Sequence, residues 1–330
     1  MDCKPFIVIF AIFFAIVLPC SALNVVSTTS VLWDPVQSIG GSNVKVIYLA
    51  DPAVCPHVQG DIIPNRIQIE KEFISSADLF VAHNSSVDRQ YVMPFVDDFM
   101  NANGYTKPEW VTLNNPDMTW NTPENAKNLA TEVKDWLIQA DPENTDYYNK
   151  MHESYIARID EAGKMTPEEK DLIPGQKAIS MLWQKNAAEN WLGLDVVDYY
   201  APDFYMGGKY SATKMVDRIN ENPKSYEDVL YVIENMQSGE LGKGIEESLK
   251  DKGFEVKRVI FTNFPNSIDG VDSIPAVLEY NKNLVIPNDK VEVLENTDSD
   301  LPKPTKSPGF GIITIFASAC VILFGRKIFS

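Results

Sequence analysis

The stretch Asp141-Pro142-Glu143-Asn144, running on from Thr145 to Lys164, decides how this chain divides. Asp141 is a helix-capping residue type, and Pro142 suits the first helical position, where a missing N–H costs nothing. Glu143 adds favourable charge to the first turn. Tyr148, Met151, Tyr155 and Ile159 then recur at helical spacing, with His152 and Ile156 on the same side, and Gly163 stands where a C-cap belongs. On either side of this helix, short apolar runs alternate with amphipathic ones. The pattern predicts an α/β protein of two lobes, each a mostly parallel sheet flanked by helices, joined by a long rigid interlobe helix. The expected divisions are 23–140 for the first lobe, 141–165 for the interlobe helix and 166–287 for the second lobe.

Outward toward the N-terminus, the first lobe reads as strands at Asn24–Thr29, Val44–Tyr48, Leu79–Ala82 and Trp110–Leu113. Helices are expected over Asp34–Ile39, Pro64–Ser75 and Val87–Asn101, and another from Thr122-Pro123-Glu124. In the last, Ala126, Leu129, Ala130, Val133, Trp136 and Leu137 make one apolar stripe. Beyond the interlobe helix the alternation restarts. Strands are expected at Lys177–Met181, Asp195–Tyr199, Asp228–Ile233 and Val256–Phe261. Helices follow them, up to Leu192, from Ser211, over Leu241–Lys252 and over Ile274–Asn283.

The two ends read differently. Lys4, the apolar run Phe6–Leu18 and Cys20-Ser21-Ala22 form a secretory leader, 1–22, cleaved after Ala22. Residues 288–307 form a polar, Pro-containing linker. Residues 308–330 hold Pro308-Gly309-Phe310, an apolar run and Arg326-Lys327, in the order of an archaeal C-terminal sorting signal. Such a segment, as a sorting signal or as an ordinary span, tethers the body to the outer face of the cell membrane. The sequon Asn84-Ser85-Ser86 agrees with export.

The chain of 330 residues carries a formal charge of −17; without its two ends it keeps 26 basic and 45 acidic residues, or −19. Such a surface disfavours nucleic acid and attracts cations. Of four cysteines only Cys55 lies in the body, which excludes an internal disulfide, and three histidines exclude a site built on many of them.

In open α/β sheets, ligands bind beyond the carboxyl ends of the strands. Cys55 and His57 stand there after the second strand, and Asp117, Met118 and Trp120 after the fourth. In the second lobe Met181, Trp183 and Gln184, then Glu234 and Met236, then Asn263 hold equivalent places. His83 and His152 are assigned no role. If the sheets face each other, these loops line one cleft, and one Cys, one His and several Met make a soft donor set suited to a metal.

These residues also resemble a family: the zinc/manganese-type metal receptors among the extracellular solute-binding proteins of ABC importers. The resemblance runs from about Val25 to Val285. It rests on Val26-Ser27-Thr28-Thr29-Ser30, Ile39-Gly40-Gly41, Asp51-Pro52 with Pro56-His57, and Ser76-Ala77-Asp78-Leu79. Further on it rests on Pro123-Glu124-Asn125-Ala126, Asp141-Pro142-Glu143-Asn144, Tyr231-Val232-Ile233-Glu234 and Val259-Ile260-Phe261-Thr262-Asn263. It implies His57 as first metal ligand. The family's second ligand, a His, aligns with Met118; its third, a His or Glu, with Leu182; its fourth, an Asp, with Asn263. Glu234 matches a position that is not usually a ligand. His57, Met118 and Asn263 are therefore the leading candidates, with Cys55, Met181, Glu234 and Met236 behind them.

The expected function is an extracellular receptor that captures a transition-metal ion, or a metal-bearing solute, and delivers it to an ABC permease and its ATPase. The resemblance implies zinc or manganese, whereas the donor set suits a softer ion such as copper(I). A small organic solute, and surface adhesion with no metal, are the alternatives. No Ser/His/Asp order, carboxylate cluster, cofactor fingerprint or phosphate-cradling Gly-rich loop is present, so a catalytic pairing of Glu234 with His57 is the least favoured reading and no enzyme is expected.

Overall fold

A computed structural model describes residues 22–116, 119–173 and 175–286. The leader up to residue 21, the linker from residue 288 and the C-terminal segment lie outside the described residues.

The chain runs β1 (Leu23–Ser27), α1 (Ser30–Gly40), β2 (Val44–Tyr48), α2 (Ile62–Ile69), α3 (Lys71–Ser75), β3 (Leu79–Ala82), α4 (Met93–Ala102) and β4 (Trp110–Thr112). There follow α5 (Pro123–Ala140), α6 (Thr145–Gly163) and α7 (Pro167–Leu172). The second half runs β5 (Lys177–Met181), β6 (Asp195–Tyr200), α8 (Ala212–Glu221), β7 (Val229–Asn235), α9 (Lys243–Asp251), β8 (Lys257–Phe261) and α10 (Ile274–Val285). The strands make two four-stranded sheets of order β2-β1-β3-β4 and β6-β5-β7-β8. Every pairing is parallel. The second lobe thus repeats the wiring of the first.

The apolar strands follow from this topology. Crossover helices cover both faces of a parallel sheet, so a central strand has no wet side. All four residues of β3, Leu79 to Ala82, are buried. On α5 the six stripe residues Ala126, Leu129, Ala130, Val133, Trp136 and Leu137 are the six that bury. Thr122 caps this helix by accepting from the Asn125 N–H at 3.3 Å, and Pro123 follows as its sequence suggested.

The helix α6 is tied at both ends. At its start the Asp141 carboxylate accepts from Asn144 Nδ2 and from the Tyr148 hydroxyl, each at 2.7 Å. Asp141 therefore holds the first turn through side chains rather than as a backbone cap. At its end, the carbonyls that a helix leaves without partners are met by the second lobe. Trp191 Nε1 donates to Gly163 O at 2.9 Å and Lys282 Nζ to Lys164 O at 2.7 Å. Gly163 is not the C-cap expected, a place that Lys164 takes. Gly163 is the last helical residue, and a Cβ there would stand 2.3 Å from Pro123 Cγ. Its lack of a side chain lets the start of α5 and the end of α6 touch. Tyr148, Tyr155 and Ile159 are buried in a core that also takes Val25 and Leu32 from the first half and Ile274 and Leu278 from α10.

Other differences are local. The helix expected over Pro64–Ser75 is broken at Glu70 into α2 and α3. The one expected from Val87 opens with a widened turn, Asp88–Val92, in which Met93 N–H reaches back to Asp88 O. Pro94, with no N–H, cannot join the regular ladder. The helix α7 was not anticipated, although Thr166 and Glu169 form a capping box around Pro167.

Candidate functional site

All strands of each sheet point their carboxyl ends at one cleft of about 560 Å³ between the sheets. Thr29 follows β1, Cys55 and His57 follow β2, His83 follows β3, and Trp120 and Asn121 come after β4. From the other lobe come Trp183 after β5, Phe204 after β6, Asn235 and Gln237 at the end of β7, and Asn263 and Phe264 after β8. The expected convergence of distant loops is therefore present, with His57 and Asn263 lining the same cavity.

The order β2-β1-β3 places a topological switch point between β1 and β3, where the crossovers leave in opposite directions and open a crevice. There Thr29 Oγ1 and His83 Nε2 meet at 2.8 Å, both residues buried. Trp120 lies against the His83 ring, with centroids 4.7 Å apart. His83 Nδ1 and Asp88 Oδ1 are buried and have no hydrogen-bond partner among the described residues. Burial lowers the His83 pKa, with Asp88 opposing the shift. Sequence reasoning gave His83 no role. Its place directly after a central strand was the signal that could have found it.

His57 sits on the short helical turn Pro56–Val58, half-buried, with its pKa lowered by burial. Its imidazole is therefore neutral at neutral pH and keeps a lone pair for a ligand. Nδ1 lies 3.2 Å from Cys55 Sγ. Burial raises the Cys55 pKa, so the thiol stays protonated and is a weak donor to a metal. The rings of Tyr91 and Phe204 flank His57 at 5.5 and 4.7 Å. Phe204 belongs to the second lobe and stacks on Trp183 at 6.3 Å. The aromatic residues Phe204 and Tyr205, after β6, thus reach across the cleft mouth. Their loop is closed at its base by Ala201 N–H donating to Tyr210 O at 2.7 Å. It turns through three consecutive positive-φ residues, Met206, Gly207 and Gly208.

The deep wall is built of amides. Asn121 Nδ2 donates to Trp183 O (2.8 Å), Gln184 Oε1 (3.0 Å) and Asn263 Oδ1 (3.1 Å). Gln184 Nε2 donates to Asn235 Oδ1 (2.8 Å) and to the same Asn263 Oδ1 (2.9 Å). Trp120 Nε1 donates to Asn263 O at 2.6 Å, and Gln237 Nε2 to Pro52 O at 3.0 Å. The bonds of Asn121, Trp120 and Gln237 join the two lobes across the cleft, and those of Gln184 brace its second-lobe side. The side-chain carbonyl of Asn263 accepts two hydrogen bonds, one for each lone pair, so it would have to release both to coordinate a metal.

The remaining candidates are placed as follows. Met118 and Asp117 lie outside the described residues. Met181 is fully buried in the second-lobe core with Ile179 and Val232. Glu234 is buried away from the cleft, paired with Arg258 at 2.8 Å. Burial raises its pKa against the opposing effect of Arg258. Met236 lines a side cavity of about 360 Å³ that it shares with Cys55 and Phe204. The structure therefore brings His57, Cys55, Met236 and Asn263 to the cleft and its side chamber, and not Met181 or Glu234. Among the described residues no group of three His, Cys, Asp or Glu side chains is close enough to hold a metal ion.

Residues 25–264 match the family described as ZnuA, zinc-uptake complex component A, periplasmic. Among solved structures, the chain is similar to a ZnuA crystal structure, with 18% identity and a TM-score of 0.55, over 80% of this chain and 100% of that one. It is also similar to the periplasmic zinc-binding protein TroA from Treponema pallidum, with 14% identity and a TM-score of 0.58, covering 81% and 98%. A manganese-bound S38A mutant of a periplasmic metal-binding protein from Candidatus Liberibacter asiaticus gives 16% identity and a TM-score of 0.60, covering 79% and 97%. These identities carry the two-lobe fold and not the ligand set.

Proposed function

The chain belongs to the family of zinc-uptake complex component A, and on that premise we propose that it is the extracellular metal-capturing receptor of an ABC importer. A transition metal, alone or carried in a solute, binds in the interlobe cleft, and the loaded receptor passes it to a permease driven by its ATPase. The C-terminal segment tethers the receptor to the outer face of the membrane. The observation that carries the reading is the meeting of all eight strand ends at one cleft, with the neutral imidazole of His57 on its wall.

The mechanism is binding, not turnover. Affinity comes from desolvating the cargo between aromatic walls and from donors placed by both lobes. The interlobe helix, fastened at both ends, restricts the relative motion of the lobes. Release therefore needs the permease to part the cross-cleft bonds of Asn121 and Trp120 or to lift the Phe204 loop.

The test is direct. The protein is purified without chelators and its elements are measured by mass spectrometry, beside the His57→Ala and Met118→Ala variants. A transition metal at near-stoichiometric level in the parent, lost in His57→Ala, is the expected result. Element content indifferent to both substitutions would remove the cleft as the site.

A further inference from the structure

We propose, resting on the receptor reading above, that the cargo is a metal already wrapped in a planar organic chelator, with His57 filling one open coordination position. The argument begins with donors. Zinc takes four ligands, and a site for the bare ion supplies at least three of them from side chains. In this cleft the described residues bring no cluster of three such donors together. His57 Nδ1 is engaged with Cys55 Sγ at 3.2 Å, leaving Nε2 as its ligand nitrogen. The carbonyl of Asn263 serves the amide cluster. Among the described residues, then, most coordination positions are left for the cargo to fill.

The cavity gives the second argument. At about 560 Å³ it falls among pockets that hold organic molecules, roughly 300–1,000 Å³. The walls supply the third. Phe204 lies against the His57 ring at 4.7 Å and stacks with Trp183 at 6.3 Å, so a flat group bound through its metal to Nε2 meets aromatic faces. Trp120 and Phe264, at 5.7 Å, make the inner wall. Aromatic rings attract flat π-systems by stacking and shed water readily, whereas they give nothing to a hydrated ion.

The test compares three probes by calorimetry on the intact protein: zinc alone, terpyridine alone and their one-to-one complex. Zinc is chosen because it has no redox chemistry and no geometric preference of its own. The complex is expected to bind at least about tenfold tighter than either component. His57→Ala should reduce it to the level of terpyridine alone. Phe204→Ala, at a position that is 56% exposed and so safe for folding, should weaken the complex at least about fivefold and leave bare zinc unchanged. Bare zinc binding as tightly as the complex, with Phe204→Ala silent, would overturn the chelate proposal and keep the receptor. Terpyridine binding as tightly as its complex would overturn it in favour of a metal-free organic cargo. No binding of any zinc species, together with no co-purifying metal, would instead sink the receptor reading itself.

Discussion

Asp34 and Tyr155 are joined by a 2.5 Å hydrogen bond, the tyrosine hydroxyl donating to Oδ2 of a carboxylate that is almost wholly buried. The same oxygen accepts from the Ile274 N–H at 2.6 Å, and Ser38 donates to Oδ1 at 3.1 Å. One side chain on α1 thus fixes the middle of α6 and the first residue of α10, a helix of the second half of the chain. Tyr155→Phe removes one donor to a buried acid and should cost about 1.5–3 kcal/mol. Asp34→Ala leaves two buried donors without partners and should cost about 3 kcal/mol or more. Urea denaturation of the two variants checks both, and equal costs would mean that Asp34 does not serve as the junction.

The pH dependence of that junction has a definite sign. Desolvation raises the Asp34 pKa from 3.8, against the lowering effect of its hydrogen bonds and of Arg158. The folded state therefore holds this proton more firmly than the unfolded chain does. Its contribution is fully present below 3.8 and is lost as pH rises through the raised folded value. The stability of the parent minus that of Asp34→Asn should accordingly fall as pH climbs from 4 toward neutrality. A series of denaturation midpoints across that range measures the slope, and a difference that grows with pH contradicts it.

Gly163→Ala should destabilise, although alanine favours helix over glycine by about 1 kcal/mol. The added Cβ would stand 2.3 Å from Pro123 Cγ and 2.7 Å from Pro123 Cβ, and a stiff proline ring cannot move aside. Overpacking of this kind costs about 1–3 kcal/mol, which exceeds the propensity gain. A lowered melting temperature is expected; a raised one would show that α5 and α6 can separate without loss.

The amide cluster predicts an asymmetry between two similar substitutions. Asn121 acts as a donor to three acceptors, so Asn121→Asp sets a carboxylate against three oxygens. It should lose about 3 kcal/mol or more, beyond the loss in Asn121→Ala. Asn263 instead accepts from Asn121 and Gln184 through Oδ1, and an aspartate there accepts equally well. Asn263→Asp should keep the melting temperature and strengthen the binding of bare zinc by adding a carboxylate to the cleft that His57 also lines. Thermal unfolding and calorimetry read both halves, and similar losses from the two substitutions would refute the assigned donor directions.

Much of the fold was legible because its signals are local. The apolar stripe of α5, the cap at Thr122 and the run Leu79–Ala82 each depend on neighbours in sequence. The site was legible only to the level of which loops meet. His57 and Asn263 could be placed in one cleft because strand direction puts each loop at a carboxyl end and the interlobe helix lets the two sheets face each other. That the Asn263 carbonyl is taken up by Asn121 and Gln184, 142 and 79 residues away, is a fact of packing that no sequence pattern announces. Phe204 against His57 belongs to the same class. Gly163 shows how a residue can be singled out correctly for a wrong reason. It stands where a C-cap is expected, and it is needed instead for the approach of Pro123.

Parallel strands have a consequence for what approaches this molecule. Helix α1 begins directly after Thr29 and α5 two residues after Asn121, both on the cleft wall. Each helix start carries roughly half a positive charge from its aligned peptide dipoles. The chain as a whole carries −17. An anionic guest is therefore pushed away at long range and drawn in once it is inside the cleft. Raising ionic strength screens the repulsion between distant exposed charges more than the attraction at close quarters. Association of such a guest should quicken with added salt, the reverse of ordinary electrostatic steering.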